Sequence, residues 1–172
     1  MKGLKIRTMP DPIMVETINA MGGMGVSMGL GELYSALQQG VLDGISTSSQ
    51  LLTSLKIYEV AKFYAPMNMH YTPAQILVNV KFWNTLSAEH QKVIQESMKK
   101  WEKGNDAYFL DPAKQTSNDF IFSVMKGKGV EITPVDTAPF KKMTASVVKK
   151  YRTQIGADYV DQVLKFTGYK LE

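Results

Sequence analysis

Leu30, Leu33, Ala36 and Leu37 recur at helical spacing, while Glu32, Gln38 and Gln39 face elsewhere, which predicts a short amphipathic helix. Glu32 falls in its first turn, where the helix dipole favours a negative charge and where it is expected to cap, and Gly40 falls where a left-handed residue would stop it. Upstream, Leu4–Met9 reads as a strand, and Pro10-Asp11-Pro12 forces a turn whose second proline can open a helix. That helix runs to about Met21, with Met14, Val15, Ile18 and Met21 on its apolar face, and Gly22-Gly23 ends it. A strand near Val26–Met28 precedes the amphipathic helix, and Val41–Ile45 follows it as an extended segment tied at its turn by Asp43. The resulting β–α–β–α–β order with short loops predicts a largely parallel sheet. It ends in four hydroxyl residues, Ser46, Thr47, Ser48 and Ser49, at the place where open α/β sheets present a ligand crevice.

The second half is more helical. Thr53–Tyr64 is expected as one helix anchored by Leu55, Val60 and Phe63 and closed by Pro66, and Gln75–Val80 (QILVNV) as a short strand. Ser87 is a good N-cap, and Glu89, Val93, Ile94, Met98, Trp101 and Tyr108 continue a long helix. Pro112 predicts a break near Asp111 before the helix resumes to about Met125 and stops at Gly127 and Gly129. A small strand over Val130–Thr133 and helices over Phe140–Arg152 and Tyr159–Phe166 complete the pattern, with a frayed tail from Thr167.

Composition narrows the chemistry. With 172 residues, 44% hydrophobic and 21% charged, the chain can bury a sizeable core. The net charge of +4 comes from scattered lysines, Lys99-Lys100, Lys141-Lys142 and Lys149-Lys150 being pairs rather than a tract, so these read as solvated helix faces and not as a nucleic-acid surface. There is no cysteine, which excludes disulfides, thiolate nucleophiles and cysteine-based metal sites. No stretch approaches the roughly eighteen apolar residues of a membrane helix, and Met1-Lys2-Gly3-Leu4 leads straight into a charged strand rather than a signal peptide. The glycines at 22, 23, 25, 29 and 31 lack the order of a nucleotide loop, because Gly22-Gly23 closes a helix instead of opening one. His70 and His90 stand far apart without metal-ligand spacing, and no G-x-S-x-G elbow is present. No cofactor or metal is expected. A hydrolase-like enzyme of α/β type using the Ser46–Ser49 hydroxyls with His70 as base, and a non-catalytic protein-interaction domain, are the alternatives to a binding protein.

The segment GELYSALQQGVLDG resembles the GE-[LV]-Y-x-A-L-Q-x-G-x-[VL]-D-G signature of the DctP-type solute receptors of TRAP transporters. The likeness continues in order. Lys2–Arg7 is similar to that family's LKGLKIR strand, and Lys56–Lys62 to its K-x-YEV-x-K helix. His70–Pro73 and Lys81–Leu86 are similar to its H-x-Y-x-P and KFW-x-x-L segments.

The resemblance implies an α/β fold of periplasmic-binding-protein type II, DctP-type, in a fragment that lacks most of the N-terminal lobe. Residues 1–72 would form a ligand-binding lobe, 73–112 the crossing strand and long helix of the other lobe, and 113–172 helices returning to the first. The implied function is capture of a small organic anion, a carboxylate, in an interlobe cleft for a TRAP membrane permease, without catalysis. The parent protein would be periplasmic. Arg7 matches the arginine that clamps the ligand carboxylate; its planar fork suits two parallel charge-assisted bonds and stays ionised when desolvated. Thr47 stands where many members carry an asparagine, so Ser46, Thr47 and Ser48 replace an amide with shorter hydroxyls; an N-cap for the next helix explains the run equally well. Met28 and Leu30 align with pocket-wall positions, and Tyr71 with the hinge, where its hydroxyl could reach ligand. An uncovered helix face around Trp83 and Trp101 would favour a homodimeric or element-swapped assembly, with the 87–125 helix at its interface.

Overall fold

Lys5–Thr8 (β1) lies between two neighbours, Met24–Ser27 (β2) and Gly44–Ile45 (β3), in a parallel sheet of order β2-β1-β3. The computed structural model describes residues 1–70, 75–109 and 118–169. Register pairs Arg7 with Val26 on one side and with Ile45 on the other. The crossover helices are Pro12–Ala20 (α1) and Leu33–Gln38 (α2). Asp11 caps α1 through Oδ1, which accepts from the Ile13 and Met14 amides at 2.7 and 3.2 Å, while Pro12 takes the first helical position. Gly40, at φ +69°, stops the chain after α2, and Asp43 Oδ2 accepts from the Lys5 amide at 2.8 Å, tying β3's approach to the start of β1. Glu32 occupies the N-cap position of α2 but makes no side-chain capping bond, so the expected cap is absent.

The chain divides into two units, Met1–Met67 with Met125–Glu172, and Asn68–Val124. In the first, Ile18 and Met14 of α1, Leu33 and Ala36 of α2, and Leu42 are buried with Ile57 and Met125. Each fully buried aliphatic side chain contributes about 1.5–3 kcal/mol relative to exposure. Gly25 lets β2 approach α1 closely: a Cβ there would stand 2.6 Å from the Val15 carbonyl oxygen. Glu131–Ile132 (β5) pairs in parallel with Phe63–Tyr64 (β4), and Ala138–Ile155 (α7) packs on α1. Lys150 of α7 donates to Glu16 at 2.7 Å, and the Tyr151 hydroxyl donates to the same carboxylate at 2.9 Å. Arg152 forks onto Asp161 of the last helix, Ala157–Thr167 (α8), at 2.7 and 2.6 Å.

Two expected elements differ. Thr53–Tyr64 is not one helix: a short helix Ser49–Ser54 (α3) ends where Lys56 adopts a left-handed φ of +53°. A 3₁₀ turn, Ile57–Glu59, and strand β4 then follow. The buried anchors are accordingly Leu52 and Ile57, and Phe63 faces solvent. In the second unit, Gln75–Val80 is not a strand. Among the described residues no strand pairs with it, and Asn79 caps a helix, Val80–Thr85 (α4), through bonds from the Lys81 and Phe82 amides. Ser87 caps the long helix Ala88–Phe109 (α5) as expected, its Oγ accepting from the His90 amide at 3.2 Å. The expected break near Asp111 lies outside the described residues; Asn118–Gly127 (α6) follows.

Candidate functional site

Arg7 is the penultimate residue of the central strand, toward the carboxyl end of the sheet, and only 2% of its surface is exposed. A buried guanidinium needs compensation. Its Nε donates to the Met28 carbonyl at 2.7 Å, which fixes the plane of the fork. Among the described residues no carboxylate pairs with Arg7 and no hydrogen bond reaches its two terminal amino groups. No described side-chain nitrogen or oxygen is both buried and unpartnered, so these amino groups are the part of Arg7 that still meets solvent. Desolvation lowers its pKa from the ordinary value, but an arginine stays ionised at neutral pH. The result is a fixed, charged fork with both terminal donors available to one carboxylate.

Three loops leave the carboxyl ends of the strands around it. Met28, half-buried, follows β2, and its amide donates to the Thr8 carbonyl at 3.3 Å. Leu30 lies further along that loop and is 45% exposed. After β3, the Ser46 amide donates to the Arg7 carbonyl at 2.8 Å, extending the pairing by one residue. Ser46 and Thr47 are half-buried, and neither hydroxyl has a partner among the described residues. Ser48 is the N-cap of α3, its Oγ accepting from the Leu51 amide at 3.4 Å. Thus the structure places Arg7, Met28, Ser46 and Thr47 at the carboxyl ends of the three strands, and commits Ser48 to a helix end. Tyr71 lies outside the described residues.

Two features were not legible in the sequence. The Met28 contribution is a carbonyl, which any residue would supply. Tyr64, expected inside a helix, instead sits on β4 and shares a hydrogen bond with Ser49; burial raises its pKa, and Ser49 partly offsets that. With Ser48 capping and Ser49 joined to a tyrosine, neither has the base partner that activates a serine nucleophile. Among the described residues no cluster of three metal-ligating side chains occurs, and no helix is long and apolar enough to cross a membrane.

Comparison with known proteins places this arrangement. Residues 1–154 match the DctP model, described as bacterial extracellular solute-binding protein, family 7. The C4-dicarboxylate-binding periplasmic protein DctP of Rhodobacter capsulatus is 27% identical over 96% of this chain and 50% of its own length. A TRAP periplasmic solute-binding protein of Pseudomonas putida F1, solved with bound D-glucuronate, is 32% identical with a TM-score of 0.75, covering 94% of this chain and 51% of that one. One from Desulfovibrio salexigens with bound orotic acid is 25% identical with a TM-score of 0.81, covering 99% and 55%. The chain spans about half the length of the relatives it matches. It belongs to family 7 of the bacterial extracellular solute-binding proteins, the solute-binding proteins of TRAP transporters.

Proposed function

From this membership we propose that the protein serves as the solute-binding component of a TRAP-type transporter and captures a small carboxylate through Arg7. One observation carries the reading: a buried guanidinium, anchored at Nε, keeps both terminal amino groups unpaired among the described residues at the carboxyl edge of a parallel sheet. The bound D-glucuronate and orotic acid of similar proteins agree with an anionic ligand. Met28, Leu30, Ser46, Thr47 and Tyr71 are proposed as further contacts. The protein performs no covalent chemistry, works in the periplasm and hands its ligand to the membrane permease. Residues 1–72 and 113–172 make one lobe and 73–112 enter the other; the division of the chain into Met1–Met67 with Met125–Glu172 and Asn68–Val124 supports two lobes. The apolar groove bounded by Ile76, Val78, Trp83, Ile94 and Met98 within the second unit supports self-association of this stretch, as a dimer or by exchange of elements.

A thermal-shift screen of mono- and dicarboxylates at millimolar concentration tests the function. At least one acid raises the melting temperature of the wild type while its uncharged amide does not. Amides and acids acting alike, or no acid acting at all, would remove the carboxylate clamp.

A further inference from the structure

We infer that residues 75–79 form an interaction edge that pairs antiparallel with the same segment of a second copy of this chain, across a twofold axis at Leu77. This rests on the self-association read from the groove of the second unit and names its mode. The segment belongs to no helix or strand, and Asn79 at its end is extended, with φ −60° and ψ 127°. Ile76 and Val78 line the groove with Trp83, Ile94 and Met98, whereas Leu77 between them is 87% exposed. Alternation of this kind is the period of a strand, so one extended segment lies along α4 and α5 with its apolar side inward.

Its backbone is where a partner is missing. Among the described residues no hydrogen bond engages the amide or carbonyl of Gln75, Ile76, Leu77 or Val78. Bonding starts at Asn79, whose carbonyl accepts from the Trp83 amide at 2.9 Å and whose side chain caps α4. An extended row of unpaired donors and acceptors is a template for another strand, and Ile76 and Val78 are residue types that favour pairing.

The sequence of the segment selects its own copy as that strand. In an antiparallel pair centred on Leu77, Leu77 opposes the second copy's Leu77, Ile76 opposes its Val78, and Gln75 opposes its Asn79. Apolar residues meet apolar ones and the end amides meet each other, with no charge from Gln75 to Val80 to oppose its like. Opposed residues of a ladder share a face, so Ile76 and Val78 of both copies lie on one side and the two grooves join into one apolar layer. A slip of one residue would turn one groove to the other side. Gln95 and Lys99 border the layer as a polar rim. The pair is isologous and closes at two copies.

Because the chain has no cysteine, one introduced thiol reads the register. Leu77→Cys and Val80→Cys, both at exposed positions, are incubated with oxidised glutathione, while sedimentation follows the wild type over a wide concentration range. Across the twofold the two Leu77 Cα atoms stand about 4.5–5.5 Å apart, within the reach of a disulfide. Val80 opposes position 74 in that register, so its two copies are about 20 Å apart. The wild type dimerises with rising concentration, exchange of the 76–78 amides slows in step, and Leu77→Cys cross-links about tenfold faster than Val80→Cys. Dimerisation with equal cross-linking at both positions overturns the strand pairing and leaves self-association standing. A monomer at every concentration ends both. Protection of the 76–78 amides that does not change with concentration assigns the edge to the chain's own residues and overturns the inference.

Discussion

The two units of this chain use similar apolar content in opposite ways. In the first, α1, α2 and the three-stranded sheet close on one another, so that Ile18 and Leu33 lose all contact with water. In the second, Ile121 is the sole residue of the buried apolar core among those described, while Leu77 is 87% exposed and Val80 69%. The difference lies in sequence distance. Each βα step of the first unit meets its packing partner within a few dozen residues, whereas the second unit presents an extended segment and a long helix with no strand beside them among the described residues. A local β–α–β frame therefore supplies much of its own cover, to which the distant α7 adds on α1, whereas a strand-like segment beside one long helix does not. The candidate site stands in the covered unit, which suits the rigid clamp proposed for Arg7.

Substitutions should separate the units. Leu33→Ala, at a fully buried position, is expected to lower the unfolding free energy by about 2–5 kcal/mol in urea melts. A loss within about 0.5 kcal/mol would mean that the first unit is not the stable half. Gly25→Ala should cost about 1–3 kcal/mol, because the added methyl would have to displace the Val15 backbone. Leu77→Ser, in the second unit, should change stability by no more than about 0.5 kcal/mol. It should instead shift sedimentation of the chain toward monomer; a wild type that stays a compact monomer at all concentrations would end the self-association proposal.

The smallest effect is electrostatic. The hydrogen bonds from Lys150 and Tyr151 hold the Glu16 carboxylate below its ordinary pKa. A carboxylate lowered on folding stabilises above its unfolded value, and the contribution fades as pH falls through the folded one. Lys150 is raised by the same bond, so its share holds up to the ordinary lysine range and is lost as pH rises through the folded value. Glu16→Gln should thus destabilise modestly at neutral pH and very little in acid below the usual carboxylate range. An equal loss at both pH values would assign Glu16 a packing role.

How far the sequence could be read follows the same contrast. Short-range signals succeeded in the first unit: Asp11-Pro12 opens α1, Gly40 stops α2, and Arg7 falls at a strand end. Lys56 misled, because nothing in its composition announces the left-handed conformation that divides Ser49–Ser54 from the 3₁₀ turn. Gln75–Val80 has strand composition, yet strand formation depends on a neighbour that composition does not supply. At the site, the resemblance pointed to Arg7 and the hydroxyl run, but it could not divide that run into Ser48 as a helix cap, Ser49 as a partner of Tyr64, and two uncommitted hydroxyls. Nor could it show the Met28 carbonyl that fixes the fork.

The most direct test of the account is calorimetric titration of the best acid from the screen into the wild type and into Arg7→Lys. Lysine keeps the charge and gives up the fork, so the account predicts affinity weaker by about 1.5–3 kcal/mol in a variant that remains folded. Unchanged affinity in well-folded Arg7→Lys would contradict it.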